Sequence, residues 1–272
     1  MKKIRNAIYQ GANGKEALYD LLIPENPHLL LVFVHGYKGF KDWGSFPLWA
    51  EYFAQSGIAF LSFNFSHNGI GISEVDVLDD ENGFSENRFS FELLDIKAVF
   101  NKIEADEILN LLPISIMAHS RGGGVSQVFV AENPVVRNLI LMASVSDFSK
   151  RFPWDVEIWK RDGVAYVTNA RTGQKLPHKY AFYQDYLDNN DRFDLAQART
   201  KIACPTFVAI GDSDPAIPLW EAENIAAEIA QSTLKIYPET DHVFGAKHPY
   251  LAKELPQKVE ELLFDVKQFI SN

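Results

Sequence analysis

The chain has 272 residues, 47% hydrophobic and 23% charged. That is the make-up of a soluble globular protein with one large domain or two small ones, and it excludes disordered, collagen-like and disulfide-stapled classes. Its 26 basic and 36 acidic side chains leave a formal net charge of −10, which repels phosphate backbones and anionic lipid and argues against nucleic acid or a membrane surface as partner.

Residues 5–9 and 17–23 read as two strands of a hairpin around Gln10-Gly11-Ala12-Asn13-Gly14. Arg5, Asn6, Gln10 and Asn13 interrupt any apolar stretch after Met1-Lys2-Lys3, so no signal peptide is expected. No apolar run reaches the roughly 18 residues of a spanning helix. The expected location is the cytoplasm, and a single cysteine, Cys204, fits a reducing compartment and excludes an internal disulfide. Residues 29–34 form a continuous apolar run, as expected of a buried parallel strand. A helix over 47–56 stopped by Gly57, a strand over 59–63 and a helix over 91–102 follow. That last helix should turn Leu94, Ala98 and Ile103 inward. A strand over 114–118, a helix over 122–132 and a strand over 138–143 continue the alternation. The acidic run Glu74, Asp76, Asp79, Asp80 and Glu81 reads as a solvated loop, because it lacks the spacing of a calcium-binding loop.

The alternation breaks over 147–200, where 164–168 and 174–177 flank a turn and suggest a hairpin. It resumes with a strand at 206–210, a helix at 219–231, a strand at 234–237 and a helix at 257–270. Strands alternating with helices predict an α/β fold, a mostly parallel sheet flanked by helices. The irregular segment 147–200 is expected to be a small cap or lid inserted into a core of 1–146 and 201–272. Arg171, Lys175, His178 and Lys179 read as a solvated hairpin face, with contact to an acidic substrate group as the alternative.

Chemistry concentrates at strand ends. Ala118-His119-Ser120-Arg121-Gly122 lies between a strand and a helix and approximates the G-x-S-x-G nucleophile elbow, with Ala118 in place of the first glycine. The helix N-terminus behind Ser120 would favour a developing oxyanion. The other reading of these residues is a glycine-rich turn with an N-capping serine. A serine hydroxyl needs a base within hydrogen-bond reach, and His242, in Asp241-His242-Val243-Phe244, follows a strand. The base needs a carboxylate to fix its tautomer. Asp212 and Asp214 both stand in the turn Gly211-Asp212-Ser213-Asp214-Pro215. Each feature alone has a plain structural reading. Together they give the order serine, acid, histidine, each just after a strand, which is the order of α/β-hydrolases. His35-Gly36-Tyr37, after the strand at 29–34, should supply a further oxyanion N–H.

On these residues the chain resembles the α/β-hydrolase superfamily from about residue 29 to the C-terminal helix. Within it, the chain is similar to the dienelactone-hydrolase-like and cinnamoyl or feruloyl esterase-like bacterial group. The resemblance implies Asp214 rather than Asp212 as the triad acid, and the backbone N–H groups of Tyr37 and Arg121 as the oxyanion hole. It implies that Asp95 is a structural acid, and that the segment 147–200 matches an insert with a small hairpin. Phe65-Ser66-His67-Asn68-Gly69-Ile70-Gly71 replaces an Arg-Gly-x-Gly pattern, so His67 and Asn68 could line the site. Dienelactone hydrolases proper use a cysteine where this chain has Ser120, which disfavours that activity.

The expected function is a serine hydrolase for carboxylic esters of small to medium acyl or aryl groups, with no cofactor and no metal. A small-molecule ester is the expected partner, and either a monomer or a homodimer is compatible with the sequence. Thioesterase, amidase or acyltransferase chemistry with the same triad, and a non-catalytic ligand-binding relative, are the alternatives. Ten of the chain's aromatics fall in 147–200: Phe148, Phe152, Trp154, Trp159, Tyr166, Tyr180, Phe182, Tyr183, Tyr186 and Phe193. They either line a substrate pocket or fasten the insert to the sheet. His35, Gly36, His67, Trp154, Tyr166 and Tyr186 are the candidate substrate-binding residues.

Overall fold

The structure, a computed structural model, describes residues 1–271. The chain opens with the antiparallel strands β1 (Lys2–Gln10) and β2 (Glu16–Ile23). Then come β3 (Leu29–Val34), α1 (Phe46–Ala54), β4 (Ile58–Phe63), α2 (Glu81–Glu86), α3 (Phe89–Glu104), β5 (Ile114–His119), α4 (Arg121–Glu132) and β6 (Val136–Met142). The segment after β6 holds α5 (Val156–Asp162), a hairpin of β7 (Val164–Thr168) and β8 (Lys175–Lys179), α6 (Ala181–Asp188) and α7 (Leu195–Arg199). The strands β9 (Thr206–Gly211) and β10 (Ser232–Tyr237), with α8 (Leu219–Glu228) between them and α9 (Gln257–Ser271) after, complete the fold.

Eight strands form one sheet in the order β1-β2-β4-β3-β5-β6-β9-β10. β2 runs antiparallel to both neighbours, and the strands from β4 to β10 are mutually parallel. Every residue of β3, β4 and β9 is buried, which is why they read as unbroken apolar runs. The step from β3 to β4 moves one way across the sheet; the steps β4 to β5, β5 to β6, β6 to β9 and β9 to β10 move the other. Right-handed crossovers therefore put α1 on one face and α3, α4, α7 and α8 on the other. The contacts agree, with α3, α4, α7 and α8 packed in a row and α9 against α1. The winding reverses beside β3, so a crevice opens at the carboxyl ends of β3 and β5. Among the described residues no helix is long and apolar enough to cross a membrane.

Two expectations change. α3 buries Phe89, Leu93, Ile96, Val99 and Ile103, while Leu94 is 47% exposed. Ile103 is inward as expected and Ala98 is half-buried against the core, but the inward face also carries Glu92 and Asp95, which apolar spacing alone does not mark. The acidic run is not merely solvated: Asp80 caps α2 by accepting from the Gly83 N–H at 2.9 Å and pairs with Lys15 at 2.6 Å, and Asp79 accepts from the Gly71 N–H at 2.9 Å. Within 147–200, α7 packs between α4 and α8. Its Arg199 donates to Gln127 at 2.9 Å, to the Ser146 carbonyl at 3.0 Å and to Glu228 at 2.6 Å. α7 thus packs within the main helical layer.

Asp95 is fully buried. It accepts from the Ala12 and Ser66 backbone N–H groups, both at 2.7 Å, and from the Ser66 hydroxyl at 2.9 Å. One carboxylate thereby joins the first hairpin turn, the loop after β4 and α3. Asp95→Ala leaves two buried N–H donors without an acceptor. At roughly 1–3 kcal/mol each, the variant should lose about 3 kcal/mol of unfolding free energy in urea denaturation. A loss below about 1 kcal/mol would show that these donors re-pair elsewhere.

Candidate active site

Ser120 sits between β5 and α4 with φ 56° and ψ −123°. A non-glycine residue holds this strained conformation only when its surroundings over-determine it. Here the Ser120 N–H donates to the Met142 carbonyl at 2.9 Å, and its own carbonyl accepts from Gly123 at 3.0 Å and Val145 at 3.2 Å. The turn passes close to the loop after β3. A Cβ on Gly122 would lie 2.2 Å from the His35 carbonyl oxygen, and one on Gly36 would lie 2.8 Å from the Ser120 Cβ. Only glycine lets the two turns meet.

His242 follows β10 and reaches back over the sheet. Its Nε2 lies 3.1 Å from the Ser120 Oγ, and its Nδ1 lies 2.7 Å from the Asp214 Oδ2. The carboxylate puts the ring proton on Nδ1, so the Nε2 lone pair faces the serine hydroxyl. The other oxygen of Asp214 accepts from the Ala216 and Ile217 N–H groups at 2.7 and 2.9 Å. Burial pushes the Asp214 carboxyl up, but the His242 bond and these two N–H groups outweigh it and hold the group below its ordinary range. Asp212 instead accepts from the Ser213 hydroxyl at 2.9 Å and the Glu239 N–H at 2.7 Å, and does not contact His242.

Two further histidines position these parts. His119 Nε2 lies 2.9 Å from the His242 carbonyl oxygen; a carbonyl only accepts, so Nε2 carries the proton. Burial foremost, with the charge of His242, pushes His119 down to about 3, and it stays neutral beside the site. His35 is buried and pushed down to about 4 by that burial. Its Nδ1 donates to the Gly36 carbonyl at 2.9 Å, which also accepts from the Gly39 N–H at 3.0 Å, while its Nε2 accepts from the Phe65 N–H at 3.1 Å. The Gly36 carbonyl and the Tyr37 N–H share one planar peptide and point opposite ways. Holding the carbonyl inward therefore aims the N–H outward. Neither the Tyr37 N–H nor the Arg121 N–H, the first of α4, has an acceptor among the described residues.

The side chains of these two residues are also tied down. The Arg121 guanidinium pairs with buried Glu92 and stacks 4.5 Å from the centre of the Tyr37 ring. The Tyr37 hydroxyl is 2.6 Å from His178 Nε2, in β8. His178 is fully buried and pushed down to about 3 by burial. The expected solvated hairpin face is thus corrected for His178, whose backbone carbonyl accepts from the Trp159 indole at 2.8 Å; Lys179 stays partly exposed and pairs with Glu86.

Ser120 and Tyr37 line two cavities. One, of about 190 Å³, is walled by Arg121, Val145, Arg151, Trp154, Val167, Phe182 and Ile217. The other, of about 260 Å³, is walled by Gly36, Tyr37, Lys38, Trp43, Phe46, His119, His242 and the hairpin turn Asn169, Ala170 and Arg171.

Comparison with known proteins settles the family. The family described as serine aminopeptidase, S33, an α/β-hydrolase family, matches residues 25–192, more than half of the chain. The chain belongs to this family. No curated protein matches it. Among solved structures, Est1E from Butyrivibrio proteoclasticus with ferulic acid bound is similar at a TM-score of 0.71 and 18% identity, over 98% of this chain and 100% of that one. Dienelactone hydrolase from Anabaena variabilis ATCC 29413 aligns at 0.67 and 14% identity, over 100% and 98%. The alpha/beta hydrolase GrgF from Penicillium sp. sh18 aligns at 0.71 and 16% identity, over 99% and 98%. At these identities the likeness is one of fold.

In this α/β-hydrolase the candidate binding residues divide. Gly36 and Trp154 wall the cavities. His35 lies beneath the loop after β3. His67 is buried, with Nδ1 2.8 Å from the Ser66 hydroxyl and its ring 4.7 Å from Phe91. Asn68 is likewise buried and donates to the Gly39 carbonyl at 3.2 Å. Tyr166 is 56% exposed and only its carbonyl is used, by the Trp154 indole at 2.9 Å. Tyr186 walls a separate cleft with Asp147, Lys150 and Trp220. Phe148 stacks on Phe89 at 3.9 Å, and Phe193 meets Phe89 edge-on at 5.5 Å. So most insert aromatics pack on one another and on Phe89 of α3, while Trp154 and Phe182 wall the cavity at the serine. Lys38, Trp43, Phe46, Val145 and Ile217 carry no mark in the sequence that places them there.

Proposed function

We propose that the protein is a serine hydrolase that cleaves carboxylic esters through an acyl-enzyme, with the insert before α7 acting as its cap. The observation that carries this reading is the relay from Asp214 through His242 to Ser120, beside two backbone N–H groups free to bind an oxyanion. Ser120 Oγ attacks the acyl carbon while its proton passes to His242 Nε2. Asp214 holds the ring and stabilises the imidazolium. The N–H groups of Tyr37 and Arg121 receive the tetrahedral oxyanion. The C–O bond to the alcohol then breaks, and the alcohol leaves with the proton from His242. Water, deprotonated by the same histidine, releases the acid and restores Ser120.

His242 gives its proton to the leaving oxygen, so the alcohol lies on the His242 side of the serine. His242 walls the 260 Å³ cavity and not the 190 Å³ one. The first therefore takes the alcohol and the second the acyl group. A cavity of about 150 Å³ accepts benzene, so the acyl side has room for an aryl ring between Trp154 and Phe182. An aminopeptidase must hold its substrate's terminal ammonium, and no Asp or Glu walls either cavity, which favours esters over peptides. A fluorophosphonate probe should form one adduct per chain, mapped by mass spectrometry to Ser120, and block hydrolysis of p-nitrophenyl esters. An adduct at another residue, or hydrolysis that persists in the labelled protein, would overturn the assignment.

A further inference from the structure

The chain is acidic overall, yet the charged side chains that wall the two cavities are all basic: Arg121 and Arg151 on one side, Lys38 and Arg171 on the other. The first two are neutralised in place, Arg121 by Glu92 and Arg151 by Glu221. Lys38 and Arg171 have no carboxylate within ion-pair distance among the described residues. Lys38 is half-buried, with its ammonium 5.2 Å from the centre of the Tyr37 ring. Burial and the charge of Arg121 both disfavour its protonated form, a penalty that an incoming anion would relieve. The backbone at Lys38 has φ 58°, a conformation glycine adopts without strain, yet a lysine stands there. Arg171, exposed in the β7–β8 turn, lines the same cavity. The aromatic residues Tyr37, Trp43 and Phe46 line it as well.

We propose that the alcohol released by this enzyme carries an anionic group, which is met by Lys38 and Arg171 in the cavity beside His242. The proposal deepens the hydrolase reading and rests on it for which part of the ester enters this cavity. Two cations lining this cavity draw an anion inward against the negative field of the rest of the molecule. Two charge-assisted contacts would fix its register. The aromatic residues suit a ring between the ester oxygen and the charge.

Two esters with one acyl group separate charge from reactivity: the butyrates of 4-(hydroxymethyl)benzoate and of 4-(hydroxymethyl)benzamide. Both leave as benzylic alcohols and differ only at the far end. The charged ester should show a kcat/KM roughly tenfold above the neutral one at low salt, after correction for the hydroxide-catalysed rates. That ratio should fall towards one in the double variant Lys38→Gln with Arg171→Gln, and should shrink in concentrated sodium chloride. Arg171→Glu, at an exposed position, should invert it. Equal rate constants for the pair, or a preference that survives the double substitution, overturns the subsite while leaving the hydrolase reading intact. Calorimetry of Ser120→Ala with the two free alcohols reads the same subsite without catalysis. Tighter binding of the carboxylate form supports it even if neither ester is cleaved, a result that would overturn the hydrolase reading alone. Equal binding of both alcohols overturns the subsite.

Discussion

Replacing Ser120 with alanine should lower p-nitrophenyl ester hydrolysis by about 10⁶-fold in kcat, to a remnant about 10³–10⁴-fold above the uncatalysed rate. The size of the loss follows from the geometry. His242 is aimed at Ser120 Oγ with its lone pair, 3.1 Å away, and without that oxygen it has nothing to activate except water held by no other contact. The remnant follows too. The Tyr37 and Arg121 N–H groups are fixed by bonds that do not involve the serine side chain: His35 and Gly39 hold the Gly36 carbonyl, and the α4 helix holds Arg121. Stopped-flow hydrolysis, with thermal unfolding as a check that the fold is intact, measures both. A variant that keeps more than a hundredth of the activity would remove Ser120 from the chemistry.

Asp214→Asn should lower kcat at neutral pH by about 10⁴-fold with little change in KM. The Ala216 and Ile217 N–H groups both donate to the Asp214 Oδ1, so an asparagine there must keep its carbonyl oxygen towards them. Its NH₂ then faces His242 Nδ1 and forces that nitrogen to accept. The ring proton moves to Nε2, where it points at Ser120 Oγ and blocks proton transfer. Asp212→Asn changes only a turn bonded to Ser213 and Glu239 and should leave kcat within about twofold. If the two variants exchanged their effects, the acid would be Asp212 and the hydrogen bonding of this turn would have been misread.

Parts of the site could be read because they depend on local chain chemistry. Ser120 and Asp214 follow the buried, largely apolar strands β5 and β9, and His242 follows the edge strand β10, where exposed and half-buried residues alternate over most of its length. The elbow also needs small residues on either side, and Gly122 shows as one. The cavity walls are a different matter. Trp43 comes from the approach to α1 and Phe46 from its first turn, Val145 from the loop after β6, Phe182 from α6 and Ile217 from the turn after β9. No spacing in the sequence relates them; only the packing of the insert on the sheet does. The direction of a loop side chain is equally hidden. His35 looked like a wall residue, but a bond from the Phe65 N–H turns it inward. The short helices α5 and α7 escaped periodicity, although Asp155 and Asp194 cap them through the N–H groups of Ile158 and Gln197, and an aspartate three residues before such a donor is a usable start signal.

In the proposed mechanism Tyr37 gives its backbone N–H to the oxyanion, while its hydroxyl meets His178 in the hairpin. Substrate range and turnover are therefore inherited as one trait. Grafting a foreign hairpin to retarget the enzyme would slacken the loop that receives the negative charge, however well the new walls fitted their ligand. Redesign has to carry positions 37 and 178 together. Natural drift at either one is felt at the other, so variants with altered selectivity and intact rates should retain this pair and differ at Trp154, Phe182 or Arg171 instead.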